Sequence, residues 1–126
     1  MILKIKNRQS TIRILTVLWT IILTILLLLP GRDIPSLNWS WLKHADKVIH
    51  FLSFFGLSIG YLLSTNSDNA KVRYRLFFIL LMYAVFMEGI QHTIQQSREF
   101  EFADMLSNIA GIVLAYCIYH LIRWFK

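Results

Sequence analysis

Four stretches of this chain are almost continuously apolar, and the polar residues gather at their ends. The stretches run over about residues 12–29, 46–64, 76–94 and 104–122. Each is long enough to cross the ~30 Å hydrocarbon core of a bilayer as an α-helix. Pro30-Gly31 stops the first. Residues 31–45 read as an interfacial loop whose Trp39 and Trp41 suit the headgroup layer, where an indole buries its ring and keeps its N–H wet. Thr65-Asn66-Ser67-Asp68-Asn69 reads as a turn. No internal repeat or low-complexity tract interrupts the pattern. It predicts one all-α domain over residues 1–126, an integral membrane bundle of four transmembrane helices.

Composition agrees. Of 126 residues, 56% are hydrophobic and 16% charged, with a mean hydropathy of +0.55. An ordinary soluble domain is less apolar, and the length leaves no room for a separate soluble catalytic module. The net charge of +6 sits in short clusters beside apolar runs, so topology explains it better than nucleic acid does. Lys4, Lys6, Arg8, Arg13, Lys71, Arg73, Arg75, Arg123 and Lys126 fall on one side; Arg32, Lys43, Lys47 and Arg98 fall on the other. The positive-inside rule then places both termini in the cytoplasm (N-in/C-in). Every acid except Asp68 falls on or near the outer side. The basic start followed by an apolar run resembles a signal peptide. However, Leu28-Leu29-Pro30-Gly31-Arg32 offers no small-x-small cleavage site, so the run is expected to stay as the first helix of a multi-pass protein in the cytoplasmic membrane. Cys117 stands alone and is expected to be a buried, inert thiol. Tyr61, Tyr74, Tyr116 and Tyr119 lie towards the cytoplasmic ends, where an interfacial aromatic belt is expected.

The candidate chemistry lies at the opposite ends of the helices. Asp46 and His50 are four apart and share a helix face. Asp46 is either a helix N-cap or a functional carboxylate. His50, one turn inside, is a structural hydrogen-bonding residue, a proton carrier or a metal ligand. Lys47 can snorkel to the headgroups. Glu88, Gln91 and His92 share a face near the end of the third helix, and Glu88 lies roughly 10 Å below that end by the 1.5 Å rise. A carboxylate at that depth needs a partner or stays protonated. Arg98 and Glu101 precede the fourth helix, where Asp104, Asn108 and Gly111 form one stripe. Asn108 implies an interhelical hydrogen bond, and Gly111 a close helix approach. Gly56-Leu57-Ser58-Ile59-Gly60 is a GxxxG with the same packing sense. Phe51, Phe54, Phe55, Phe77, Phe78 and Phe86 read as core or lipid-facing residues.

Three motifs in order, Asp46-Lys47-x-x-His50-Phe51, Glu88-x-x-Gln91 and Arg98-x-x-Glu101-x-x-Asp104-x-x-x-Asn108-x-x-Gly111, resemble the VanZ-like family of small membrane proteins. The resemblance covers about residues 12–122. The chain departs from it in lacking the proline often found just before the arginine. The family's namesake is linked to low-level teicoplanin resistance in Gram-positive bacteria, through the drug's access to the cell envelope. The resemblance thus implies a bacterial envelope protein, and a resistance role by association only.

Two functional classes follow. In the first, His50, Glu88, Gln91, Arg98, Asp104 and Asn108 form a polar network behind an outward-facing surface that binds or modulates an envelope component, with membrane lipids or a lipid-linked molecule as partners. Arg98 is the natural anion contact. In the second, the chain is a membrane-embedded hydrolase or transferase acting on a lipid-linked or cell-wall substrate. There Glu88 and His50 act as acid and base, Arg98 clamps a phosphate, and Asp104 orients the histidine. A metal held by His50, Glu88 and Asp104 is compatible with their ligand chemistry. No HExxH or Ser/Cys nucleophile motif names a specific reaction or cofactor. Nucleic acid is not an expected partner, and oligomerisation stays open. Transport ranks third, because four helices with few, shallow polar residues offer a thin pathway.

Overall fold

The computed structural model describes residues 2–29, 40–65, 69–94 and 102–125. Four helices, α1 (Ile2–Leu28), α2 (Ser40–Thr65), α3 (Ala70–Ile94) and α4 (Phe102–Trp124), account for nearly all of them. Each contains an apolar span long enough to cross a membrane. The chain is an all-helical, multi-pass membrane protein.

All four helices run beyond their expected starts. α1 begins ten residues early, because Ile2 to Thr11 contains no glycine or proline to break it. α2 begins at Ser40 rather than Asp46, so Trp41 belongs to a helix and not to the expected loop. Asp46 lies nearly two turns inside α2 and cannot be its N-cap. α3 starts at Ala70 because Asn69 caps it: the Lys71 N–H donates to Asn69 Oδ1 at 2.9 Å. Its end at Ile94 falls where the apolar pattern ends. α4 extends two residues past its expected bounds at each end.

Side-chain contacts fix the relative directions. Arg13 of α1 donates to the carbonyl of Ser64, late in α2, and Trp19, further along α1, to that of Ser53, earlier in α2, so these two helices are antiparallel. Tyr116 of α4 donates to the carbonyl of Arg73 at the start of α3, so these are antiparallel too. α2 and α4 run parallel, with Lys47 meeting Asp104 and His50 meeting Asn108. α2 packs most extensively on α4 and then on α1, whereas α1 and α4 do not touch among the described residues. The end of α1, the start of α2, the end of α3 and the start of α4 thus share one end of the bundle. Arg13, Arg73 and Arg123 lie at the other.

Lipid tails are as apolar as leucine, so packing and hydrogen bonds, not expulsion from water, hold such helices together. Phe54, Leu57, Leu62 and Ile112 are essentially fully buried, with Leu80, Ala84 and Met87 packed around them. Phe78 and Phe86 face outward, and Phe51, Phe55 and Phe77 are partly covered. A hydroxyl ladder that the sequence reading passed over joins three helices. Thr20 bonds Tyr61 at 3.0 Å and Thr24 bonds Tyr83 at 2.8 Å. Its sequence signal was available: Thr16, Thr20 and Thr24 recur at i, i+4 and i+8 in an apolar run. Inward packing corrects the expected tyrosine belt. Tyr61, Tyr116 and Tyr119 turn inward, and only Tyr74 of the four is exposed. Cys117 is also corrected. It lies on the outer surface of α4, because the inward stripe of that helix is Asp104, Asn108, Gly111, Ala115 and Tyr119.

Candidate functional site: a polar cluster between two parallel helices

The close α2–α4 approach rests on one residue without a side chain. A Cβ on Gly111 would collide with the Phe51 carbonyl oxygen and come within 3.0 Å of the Phe55 nitrogen. The stripe above Gly111 therefore faces α2 at short range. The GxxxG of α2 is used at one position only. Gly60 receives Thr16 of α1, whose hydroxyl would lie 2.5 Å from an added Cβ, while Gly56 faces open space.

Five polar side chains meet above that contact. The Nδ1–H of His50 donates to Asn108 Oδ1 at 3.1 Å, because an amide oxygen can only accept. Lys47 Nζ lies 3.2 Å from Asp104 Oδ1. The other ring nitrogen, His50 Nε2, faces Asp46 Oδ1 at 3.7 Å and Asp104 Oδ2 at 3.9 Å. His50, Asp104 and Asn108 are buried, whereas the Asp46 and Lys47 side chains are 39% and 36% exposed. The cluster thus has a buried floor and a charged, accessible rim.

The expected residues divide. Asp46, Lys47, His50, Asp104 and Asn108 come together. Gln91 is buried but serves another purpose: its Nε2 donates to the Leu27 carbonyl at 2.8 Å, satisfying one of the last carbonyls of α1 and tying α1 to α3. Glu88 is buried one turn below Gln91 in α3. The carboxylate grouped with His50 and Asp104 at metal-ligand spacing is Asp46 rather than Glu88. Its i, i+4 spacing from His50 was the sequence signal for this. Arg98 and Glu101 lie outside the described residues.

A family model described as VanZ/LLP1 matches residues 3–123. No curated relative and no solved structure matches the chain. The matched region takes in all four helices and every residue of the polar cluster, and on that match the chain belongs to the VanZ/LLP1 family.

Proposed function

We propose that this chain is a single-domain protein of the bacterial cytoplasmic membrane, N-in/C-in, whose α2–α4 cluster recognises the anionic head group of an envelope component from the outer surface. The observation that carries this reading is the accessible Lys47–Asp46 rim directly above buried His50, Asp104 and Asn108. Intramembrane charges are rare and usually functional, and bundle packing alone does not require them. The excess of Lys and Arg at the opposite end of the helices supports the orientation. Family membership supports the envelope setting and, by association, a role in teicoplanin susceptibility.

The test uses a polyprenyl phosphate added to the detergent-purified protein, with retention followed by native mass spectrometry. Wild type retains the lipid, and Lys47→Ala, purified as an equally folded protein, retains less. Equal retention by both contradicts the reading. In a teicoplanin-susceptible Gram-positive host, wild type raises the inhibitory concentration, and Lys47→Ala at equal abundance does not.

One observation favours the enzymatic reading as second choice. Asn108 fixes the His50 ring and leaves its other nitrogen towards the rim, as an acid–base residue requires. In that case His50→Ala abolishes the phenotype, whereas Asn108→Ala, which loses the same hydrogen bond and a similar stability, retains part of it. Lost abundance instead points to a structural network.

A further inference from the structure

We infer that Asp46, His50 and Asp104 bind one divalent first-row metal ion, of the zinc or manganese kind. The inference deepens the preceding reading, since it rests on the same cluster being an accessible site.

His50 Nδ1 carries a proton, because it donates to Asn108 Oδ1. In the neutral ring, Nε2 then presents a lone pair to two carboxylate oxygens, at 3.7 and 3.9 Å. A ring nitrogen and two carboxylate oxygens converging in this way suit a shared cation. A shared metal ion fits this spacing. Two donors each about 2.1 Å from one ion, at a tetrahedral to trigonal angle, sit roughly 3.4–3.6 Å apart. Small inward movements of both carboxylates, the more exposed Asp46 and the buried Asp104, close the difference. The three donor atoms all lie within 4.8 Å of one another.

The surroundings suit bound metal as well. A ligating histidine ordinarily donates its other N–H to an oxygen acceptor, which fixes ring and tautomer; Asn108 does so here. A ligating carboxylate is ordinarily held by a further hydrogen bond. Lys47 holds Asp104 Oδ1, which leaves Oδ2 turned to the histidine. One imidazole with two carboxylates suits zinc or manganese, and three protein ligands leave a coordination position open. Asp46, Asp104 and Lys47 sum to one negative charge, so a divalent ion makes the cluster net positive. An anionic group arriving at the rim then meets both the ion and the Lys47 ammonium.

The test is metal binding by the full-length protein in detergent, freed of any polyhistidine tag and stripped with chelator. The probes are Zn2+ and Mn2+ alone, measured by calorimetry and by elemental analysis after removal of excess ion. Wild type retains one ion per chain, and His50→Ala retains none. Asp46→Asn, at a half-exposed position, melts like wild type when metal-free but binds at least about 10-fold more weakly. Asn108→Ala weakens binding by about 10- to 100-fold, as loss of a hydrogen bond behind a ligand does. A monodisperse wild type that retains no ion overturns the inference, as does equal affinity in Asp46→Asn. Ion binding without retention of a polyprenyl phosphate keeps the metal site and removes the head-group reading. Retention with no ion bound does the reverse.

Discussion

Gly111 of α4 lies against the main chain of Phe51 in α2, with no room for even one side-chain carbon between them. The obstacle is backbone on both sides, so neither helix can yield by changing a rotamer. Gly111→Ala is expected to push the two helices apart and destabilise the bundle by about 1–3 kcal/mol, the usual range for overpacking. Gly56→Ala is the control, since an added carbon there meets nothing within 4 Å. Thermal unfolding in detergent separates the two. Equal melting of both variants contradicts the packing described.

Gln91 joins two helices through one bond to the Leu27 carbonyl. That carbonyl belongs to the last turn of α1, where side-chain donors ordinarily supplement the bonds of a helix. Gln91→Leu keeps the volume and removes the donor. Stability is expected to fall by about 1–2 kcal/mol, between the cost of an orphaned buried acceptor and the smaller values typical inside membranes. Amide exchange should accelerate in the last turn of α1, while the α2–α4 amides stay protected. Uniform acceleration would count against a local tie.

The His50–Asn108 pair makes a testable energetic claim of its own. Asn108→Ala leaves a buried ring nitrogen without its acceptor, and His50→Ala leaves the amide without its donor. Each single change is expected to destabilise by about 1–2 kcal/mol, with a double-mutant coupling near 0.6 kcal/mol or above. Additive effects in denaturation would mean that the two side chains do not interact.

Orientation is open to a labelling test. Because native Cys117 lies on the outer surface of α4, the experiment starts from Cys117→Ser. In that background Ser97→Cys should react with a membrane-impermeant thiol reagent applied to intact cells, and Ser67→Cys should not. The opposite pattern would place the cluster on the cytoplasmic face.

The four helices were legible because apolar runs of membrane-spanning length carry a strong signal. Their starts were not, since a helix continues past the bilayer edge wherever nothing breaks it, as at Ser40 to Ala45. The meeting of Asp104 and Asn108 with the Asp46–His50 face was half legible. Spacing put each pair on one face of its own helix, and Asn108 announced a partner without naming it. Which carboxylate would join His50 depended on helix order in space, and so on the α2–α4 approach that Gly111 permits. Gln91 shows the same limit: its need for a partner was readable, but the Leu27 carbonyl was not.

The central claim is that α2 and α4 build one site by holding His50 in a single tautomer, with Nδ1 bonded to Asn108 and Nε2 turned to Asp46 and Asp104. The 15N spectrum of histidine-labelled protein in lipid, with His50 assigned by its loss in His50→Ala, tests this most directly. The account predicts a protonated, hydrogen-bonded Nδ1 whose signal moves in Asn108→Ala, and an Nε2 signal that moves on addition of Zn2+. A His50 Nδ1 without a proton, unchanged by Asn108→Ala, would contradict it.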